Sequence, residues 1–170
     1  MLMVSALVAC GGASSVPAPS PGTLQSSAQD VLREPTADAG LQHTQGADVA
    51  GVTFNGNPGS YSFSVTIQSP DTGCGQYADW WEIISPGGEL IYRRVLLHSH
   101  VDEQPFTRSG GPVDVQPGET VIIRAHINNG GYGRVGLRGS VESGFTRAQF
   151  PADLHSGLAS TGPLPSSCAF

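Results

Sequence analysis

The amino-acid sequence predicts an all-β domain, built as a sandwich of two sheets. The chain has 170 residues with 23 Gly and 13 Pro, and only 13% of residues are charged, a balance that favours short strands and turns over long surface helices. From Gly51 onwards, apolar and small polar residues alternate, which is the pattern of a strand with one buried face. The clearest example is residues 60–67, where the apolar set is Tyr61, Phe63, Val65 and Ile67.

The first ten residues, MLMVSALVAC, are apolar up to Cys10 and are followed by a segment rich in Gly, Ser and Pro. The stretch from Leu7 to Cys10 resembles the lipobox of bacterial lipoproteins, although the positively charged region that usually opens a signal peptide is missing. The resemblance implies that residues 1–10 form a truncated lipoprotein signal segment and that Cys10 is the lipidated residue. The protein would then be anchored to a membrane surface of the bacterial cell envelope by its acyl chains alone.

Residues 11–48 are rich in Ala, Ser, Gly, Pro and Gln and show no sustained apolar periodicity, which is typical of a flexible tether. The folded domain is predicted to span residues 49–145, and residues 146–170 form a C-terminal tail. Further strands are predicted at 78–85, 90–100, 113–115, 120–128 and 134–143, with a long loop over 101–112. Such a series of short strands between Gly and Pro turns resembles an immunoglobulin-like or fibronectin-like sandwich, and a cupin-like jelly roll is the alternative.

Two cysteines remain once Cys10 is assigned to lipid. In an exported protein, Cys74 and Cys168 are expected to form a disulfide, which would hold the C-terminal tail beside the domain. Two unpaired thiols are the alternative.

Histidines suggest a metal site. His98 and His100 share a face if the strand continues through them, and His126 lies on another predicted strand. If the two strands approach each other, three imidazoles converge near Glu103, a set of ligands that suits copper or zinc. The alternative is that His98 and His100 are only the polar end of a strand.

The stretch HSHVDEQPFTRSG also resembles the first cupin motif, with His98, His100, Glu103 and Gly110 in the matching places. Two residues separate His100 from Glu103, where cupins usually have three or four. The resemblance implies a metal-dependent enzyme.

Aromatic residues are concentrated in the stretch YADWWE. Adjacent tryptophans on a strand face opposite ways, so one of Trp80 and Trp81 is expected in the core and the other exposed or at a rim. With Tyr77, the outer tryptophan would form a binding surface for a carbohydrate or a protein.

The charge balance argues against nucleic acid as a partner. The net charge is -6, and all eight basic residues are arginines, too few for the dense basic face that phosphates require.

Taken together, these features of the sequence predict a lipid-anchored binding module of the envelope rather than an enzyme.

Overall fold

The computed structural model describes residues 46–169; the predicted signal segment with Cys10 and nearly all of the predicted tether lie outside them. The strands are β1 (Asp48–Asn57), β2 (Ser60–Gln68), β3 (Ala78–Ile84), β4 (Leu90–Val95), β5 (Phe106–Val113), β6 (Val121–Ile127), β7 (Gly131–Tyr132), β8 (Val135–Ser140) and β9 (Gly144–Gln149). A 3₁₀ helix, Ser156–Ser160, follows them. No helix within residues 46–169 has the length and apolar character needed to cross a membrane.

The strands form two antiparallel sheets. The first sheet has the order β1-β2-β5, and the second has the order β4-β3-β6-β8-β9, with the short β7 also paired to β6. In an immunoglobulin sandwich, the first, second and fifth strands likewise share one sheet and the third, sixth and seventh form the other, but the fourth strand there joins the first sheet, whereas β4 pairs with β3 here. The predicted all-β sandwich is therefore confirmed.

The core lies between the two sheets. Phe63, Val65 and Ile67 of β2 are fully buried, as the alternation of their strand predicts. From the second sheet, Trp81 and Ile123 belong to the same apolar cluster and are also fully buried. Trp81 and Ile123 lie on the adjacent inner strands β3 and β6, so this part of the second sheet packs directly against the first.

Strands β3 and β6 are buried on both faces, since all seven residues of each are buried. Their inner faces contribute to the core. Their outer faces lie under residues 150–169, which we call the C-terminal segment and whose backbone carbonyls accept hydrogen bonds from arginines of this sheet. The second sheet is therefore the middle layer of three in this part of the molecule.

Strand β5 lies where the sequence predicted a loop. It pairs with β2 through hydroxyl contacts, Ser64 with Ser109 (2.7 Å) and Thr66 with Thr107 (2.9 Å), of a kind that contributes roughly 0.2–1 kcal/mol each. The inward positions of β5 carry Phe, Arg and Gly, so its alternation is not apolar enough to be recognised. Other predicted bounds also differ: β4 ends at Val95 instead of residue 100, the strand predicted at 113–115 is present only as Val113 at the end of β5, β8 ends at Ser140 instead of residue 143, and β9 crosses the predicted domain end at residue 145.

Candidate functional site

The connection from β4 to β5, residues 96–105, forms a corner that contains the HSH sequence. Its backbone is held by two polar side chains. Asp71 accepts a hydrogen bond from the backbone N–H of His100 at 2.8 Å. Gln104 donates to the carbonyl of His100 at 2.9 Å and accepts from the backbone N–H of Ser69 at 3.0 Å. These bonds fix His100 against the loop that follows β2.

His98 and His100, the histidine pair, lie close together in this corner. Their rings are perpendicular with centroids 5.2 Å apart; His98 is exposed, whereas His100 is 3% exposed and stacks on Phe106 at 3.8 Å. Nδ1 of His100 is buried without a hydrogen-bond partner, and the nearest carboxylate oxygen, Oδ2 of Asp71, is 3.9 Å away. Burial, assisted by the positive charge of Arg108, lowers the pKa of His100 below 6.5. The imidazole is therefore neutral at neutral pH.

The structure does not bring His126 together with the histidine pair. The ring of His126 stacks on Trp80 with centroids 3.8 Å apart, and its Nδ1 lies 2.6 Å from Oδ1 of Asp79. The described part of the chain holds no group of three His, Cys, Asp or Glu side chains placed around one metal ion. The expected convergence is not observed because β4 ends at Val95 and the chain turns away before the histidine pair.

Glu103 lies in the same corner but pairs with an arginine. Its Oε2 accepts a hydrogen bond from Arg108 at 2.7 Å, and this bond holds the pKa of Glu103 below its ordinary value. The pair is exposed, with 61% of the Glu103 side chain and 33% of the Arg108 side chain accessible. A cavity of about 280 Å³ beside it is lined by His98, Ser99, His100, Val101, Asp102 and Glu103.

A second cavity of about 230 Å³ opens where the edge strands of the two sheets, β4 and β5, approach each other. It is lined by Arg94, Val95, Leu96, Leu97, His98, His100 and Arg108, and we call it the edge cleft. The histidine pair borders both cavities. The pair and the two cavities together are therefore the candidate functional site. Such a surface can donate hydrogen bonds from guanidinium and imidazole groups beside apolar walls.

Sequence reasoning missed the two arginines of the edge cleft. Arg94 pairs in register with Trp81, and Arg108 with Val65, so both arginines start from the core-facing side of a sheet. The sequence held one indication. Arg94 lies two residues after Tyr92, so the two side chains share a face of β4, and Tyr92 contacts the core residue Trp81.

The predicted aromatic surface is not exposed. Tyr77, Trp80 and Trp81 are 4%, 3% and 0% accessible. Trp81 lies in the core as expected, and Trp80 faces outwards but lies between the guanidinium of Arg93, at 4.4 Å, and the ring of His126. The expectation that one tryptophan is exposed or at a rim is wrong, because both are buried and the C-terminal segment lies over the outer face of this sheet.

A buried charged cluster lies beneath the C-terminal segment. Glu82 of β3 accepts hydrogen bonds from Arg93 (2.8 Å) and Arg124 (2.9 Å), and all three side chains are at most 2% exposed. The two guanidinium groups also donate to backbone carbonyls of the C-terminal segment, at Leu154, His155, Leu158, Thr161 and Pro163. Every member is satisfied within the fold, so the cluster fastens the segment instead of forming an open site.

The disulfide is present as predicted. Cys74 and Cys168 are bonded, across a sequence separation of 94 residues. Next to it, the N–H of Ala169 donates to the carbonyl of Leu97 at 2.7 Å. The C-terminal segment therefore ends beside the corner that contains the histidine pair.

Comparison with known proteins gives one informative similarity. No protein-family model matches the chain, and no solved structure matches it. Over 104 residues the chain is 41% identical to a protein of Halomicrobium mukohataei whose name reads "Putative lipoprotein". The match covers 60% of this chain and 51% of that protein, so this chain spans about half the length of the relative. The chain is thus similar to a protein named as a lipoprotein.

Proposed function

We propose that this chain is an exported, lipid-anchored module of the cell envelope that binds a ligand through its candidate functional site. The observation that carries the proposal is the similarity to the Halomicrobium mukohataei protein, which is named as a lipoprotein. Cys10, in its lipobox-like context, is the proposed lipid attachment point. The disulfide agrees with an exported location because disulfides persist in oxidising compartments.

The candidate functional site supports the binding role by its shape and its chemistry. Two cavities meet at the histidine pair, and their walls combine guanidinium and imidazole groups with Val95, Leu96, Leu97 and Val101. Leu97 and Val101, 43% and 39% exposed, are two of the large apolar side chains that the fold leaves accessible. Concave surfaces that combine apolar walls with a few polar groups are the usual form of ligand sites.

The anchor is tested by expressing the full chain in a bacterium supplied with a labelled fatty acid. The wild-type chain is expected to carry the label and to sediment with membranes, whereas Cys10→Ser should carry none. Cys168→Ser is the matched control, since it removes a cysteine of the disulfide and should keep the label. Equal labelling of Cys10→Ser and the wild type would refute lipidation at this residue.

The binding role is tested by a thermal-shift screen of the full chain in detergent. The compounds are copper and zinc ions, neutral sugars, small organic acids and short peptides. A ligand that binds the folded state raises Tm with its concentration. We expect at least one class to do so, with the shift lost in His98→Ala and Val101→Asp and kept in Thr53→Asp, which adds a charge at an exposed position of β1. Absence of any shift, or a shift unchanged in both corner variants, would refute the assignment.

A further inference from the structure

We propose that the edge cleft is an anion site, and that it binds the carboxylate of a small organic acid with an apolar body. This inference rests on the proposed binding function and names its ligand class. Positive charge is concentrated at the edge cleft. The chain as a whole has a net charge of -6, yet two of its eight basic residues, Arg94 and Arg108, line this one cavity of about 230 Å³.

Both arginines retain free hydrogen-bonding capacity. Within residues 46–169, no ion pair or side-chain hydrogen bond involves Arg94. Arg108 donates from one terminal nitrogen to Glu103 and from the other to the carbonyl of Thr107, and its Nε makes no hydrogen bond to any of the described residues. A guanidinium group has five N–H donors in a planar fork, which matches the two oxygens of a carboxylate. The cleft therefore presents unused donors of the geometry that a carboxylate requires.

A second, independent observation comes from His100, which also lines the cleft. Its side chain is 2% exposed, and its Nδ1 is buried without a hydrogen-bond partner. Most buried polar atoms of folded proteins have a hydrogen-bond partner, which can be another protein group, an ordered water or a ligand. Because Nδ1 is enclosed beside Asp71, what His100 contributes to the cleft is a neutral ring in its wall, next to the two arginines.

The acidic groups around the cleft decide which anion fits. Glu103 occupies part of Arg108, and Asp71 lies 3.9 Å from Nδ1 of His100. Asp102 lines the neighbouring cavity. The side-chain carboxylates of these three residues would repel a phosphate dianion more strongly than they would repel an organic acid that carries a single negative charge.

Apart from His98, the remaining walls of the cleft are Val95, Leu96 and Leu97, which are apolar. They favour an organic acid over an inorganic ion, because burying the apolar body of the acid adds to the binding free energy. Such a carboxylate can belong to a free acid or to the C-terminus of a peptide, and these two sources can be distinguished experimentally.

The test is NMR titration of the full chain in detergent with N-acetyl-leucine, after metal ions have been removed from the protein and buffers with a chelating resin. The matched neutral probe is the amide of N-acetyl-leucine, which has the same shape without the charge. We expect the acid to bind at least tenfold more tightly than the amide. An amide that binds as well as the acid, or phosphate that binds as well as the acid, would overturn the proposal.

Variants locate the site. Arg94→Gln should weaken binding of the acid about tenfold, because a charge-assisted hydrogen bond is lost. Arg147→Gln, an exposed arginine of β9 at the opposite edge of the same sheet, should leave the affinity within twofold. Equal losses in the two variants would show a general charge effect and refute the site.

Glu103 gives a test of opposite sign. Glu103→Gln removes the carboxylate that competes for Arg108 and should strengthen binding several-fold, whereas Asp102→Asn removes an adjacent exposed charge and should have a smaller effect. Weaker binding in Glu103→Gln would contradict the mechanism.

A hexapeptide ending in a free leucine distinguishes the sources: tighter binding than N-acetyl-leucine indicates a peptide terminus, and equal or weaker binding indicates a free acid. If no acid binds but another ligand class loses its thermal shift in His98→Ala, this inference fails while the proposed function stands.

Discussion

Replacing Glu82 by Gln is expected to lower the free energy of unfolding by about 3–5 kcal/mol, the range found when one partner of a buried ion pair is removed. Gln keeps the shape of the side chain but removes its charge, and it leaves the guanidinium groups of Arg93 and Arg124 buried without a counterion. Because a single carboxylate serves both arginines and all three side chains are at most 2% exposed, we expect the upper part of this range.

The measurement is urea denaturation of the full chain with its disulfide intact. Glu89→Gln, at an exposed position in the β3–β4 hairpin, is the matched control and should change the free energy by no more than about 0.5 kcal/mol. Hydrogen exchange should also become faster in the C-terminal segment of Glu82→Gln, because the arginines that bind its carbonyls are no longer held in place. A loss below about 1 kcal/mol, or unchanged exchange in that segment, would refute the role assigned to the cluster.

Three further predictions concern stability. Reducing the bond between Cys74 and Cys168 should cost about 4–5 kcal/mol in the chain-entropy treatment, since it closes a loop of 94 residues; urea midpoints with and without reductant measure this, and a loss below about 1 kcal/mol contradicts it. The pKa of His100 is lowered in the folded state, so the unfolded chain takes up the proton first and stability falls as the pH drops below about 6.5. Tm measured from pH 8 to 5 should fall less in His100→Gln, and equal declines would refute this. Gly133→Ala would place its Cβ 1.9 Å from the carbonyl oxygen of the residue before β1 and should cost about 1–3 kcal/mol in urea denaturation, whereas Gly157→Ala, which meets open space, should be nearly neutral; equal midpoints refute it.

The fold class could be predicted from the sequence because the burial of side chains on its strands is visible as an alternation of apolar and polar residues. In β2, the buried side chains alternate with Ser, Thr and Gln, and one residue after another follows the predicted parity. Strand β5 escaped prediction because Arg108 and Gly110 occupy core-facing positions, where sequence reasoning expects apolar residues. The Arg108 side chain is accommodated there because β5 is an edge strand, and this depends on strand order, which cannot be read from local sequence.

The C-terminal segment explains the main errors about the site. One of the two tryptophans was expected to be exposed or at a rim, because adjacent residues of a strand face opposite ways and a sheet commonly has one face in solvent; nothing in the tail indicated a third layer. An indication was present in β3 and β6, where ADWWEII and VIIRAHI have apolar residues at consecutive positions, as in strands covered on both faces. His126 belongs to this covered face, whereas the histidine pair follows the end of β4, and only the tertiary structure separates them.

The third layer has a consequence for the order in which the protein can complete its fold. During synthesis the chain appears from its N-terminus, so both sheets can pair before residues 150–169 have been made. Until then, Trp80 and Ile122 lack their cover, and Arg93 and Arg124 lack their carbonyl acceptors. A chain truncated after β9 would contain all nine strands of the described residues, but the aromatic and charged side chains on the outer face of its second sheet would be exposed. Residues 150–169 are therefore needed to cover that face, although they contribute no strand to either sheet.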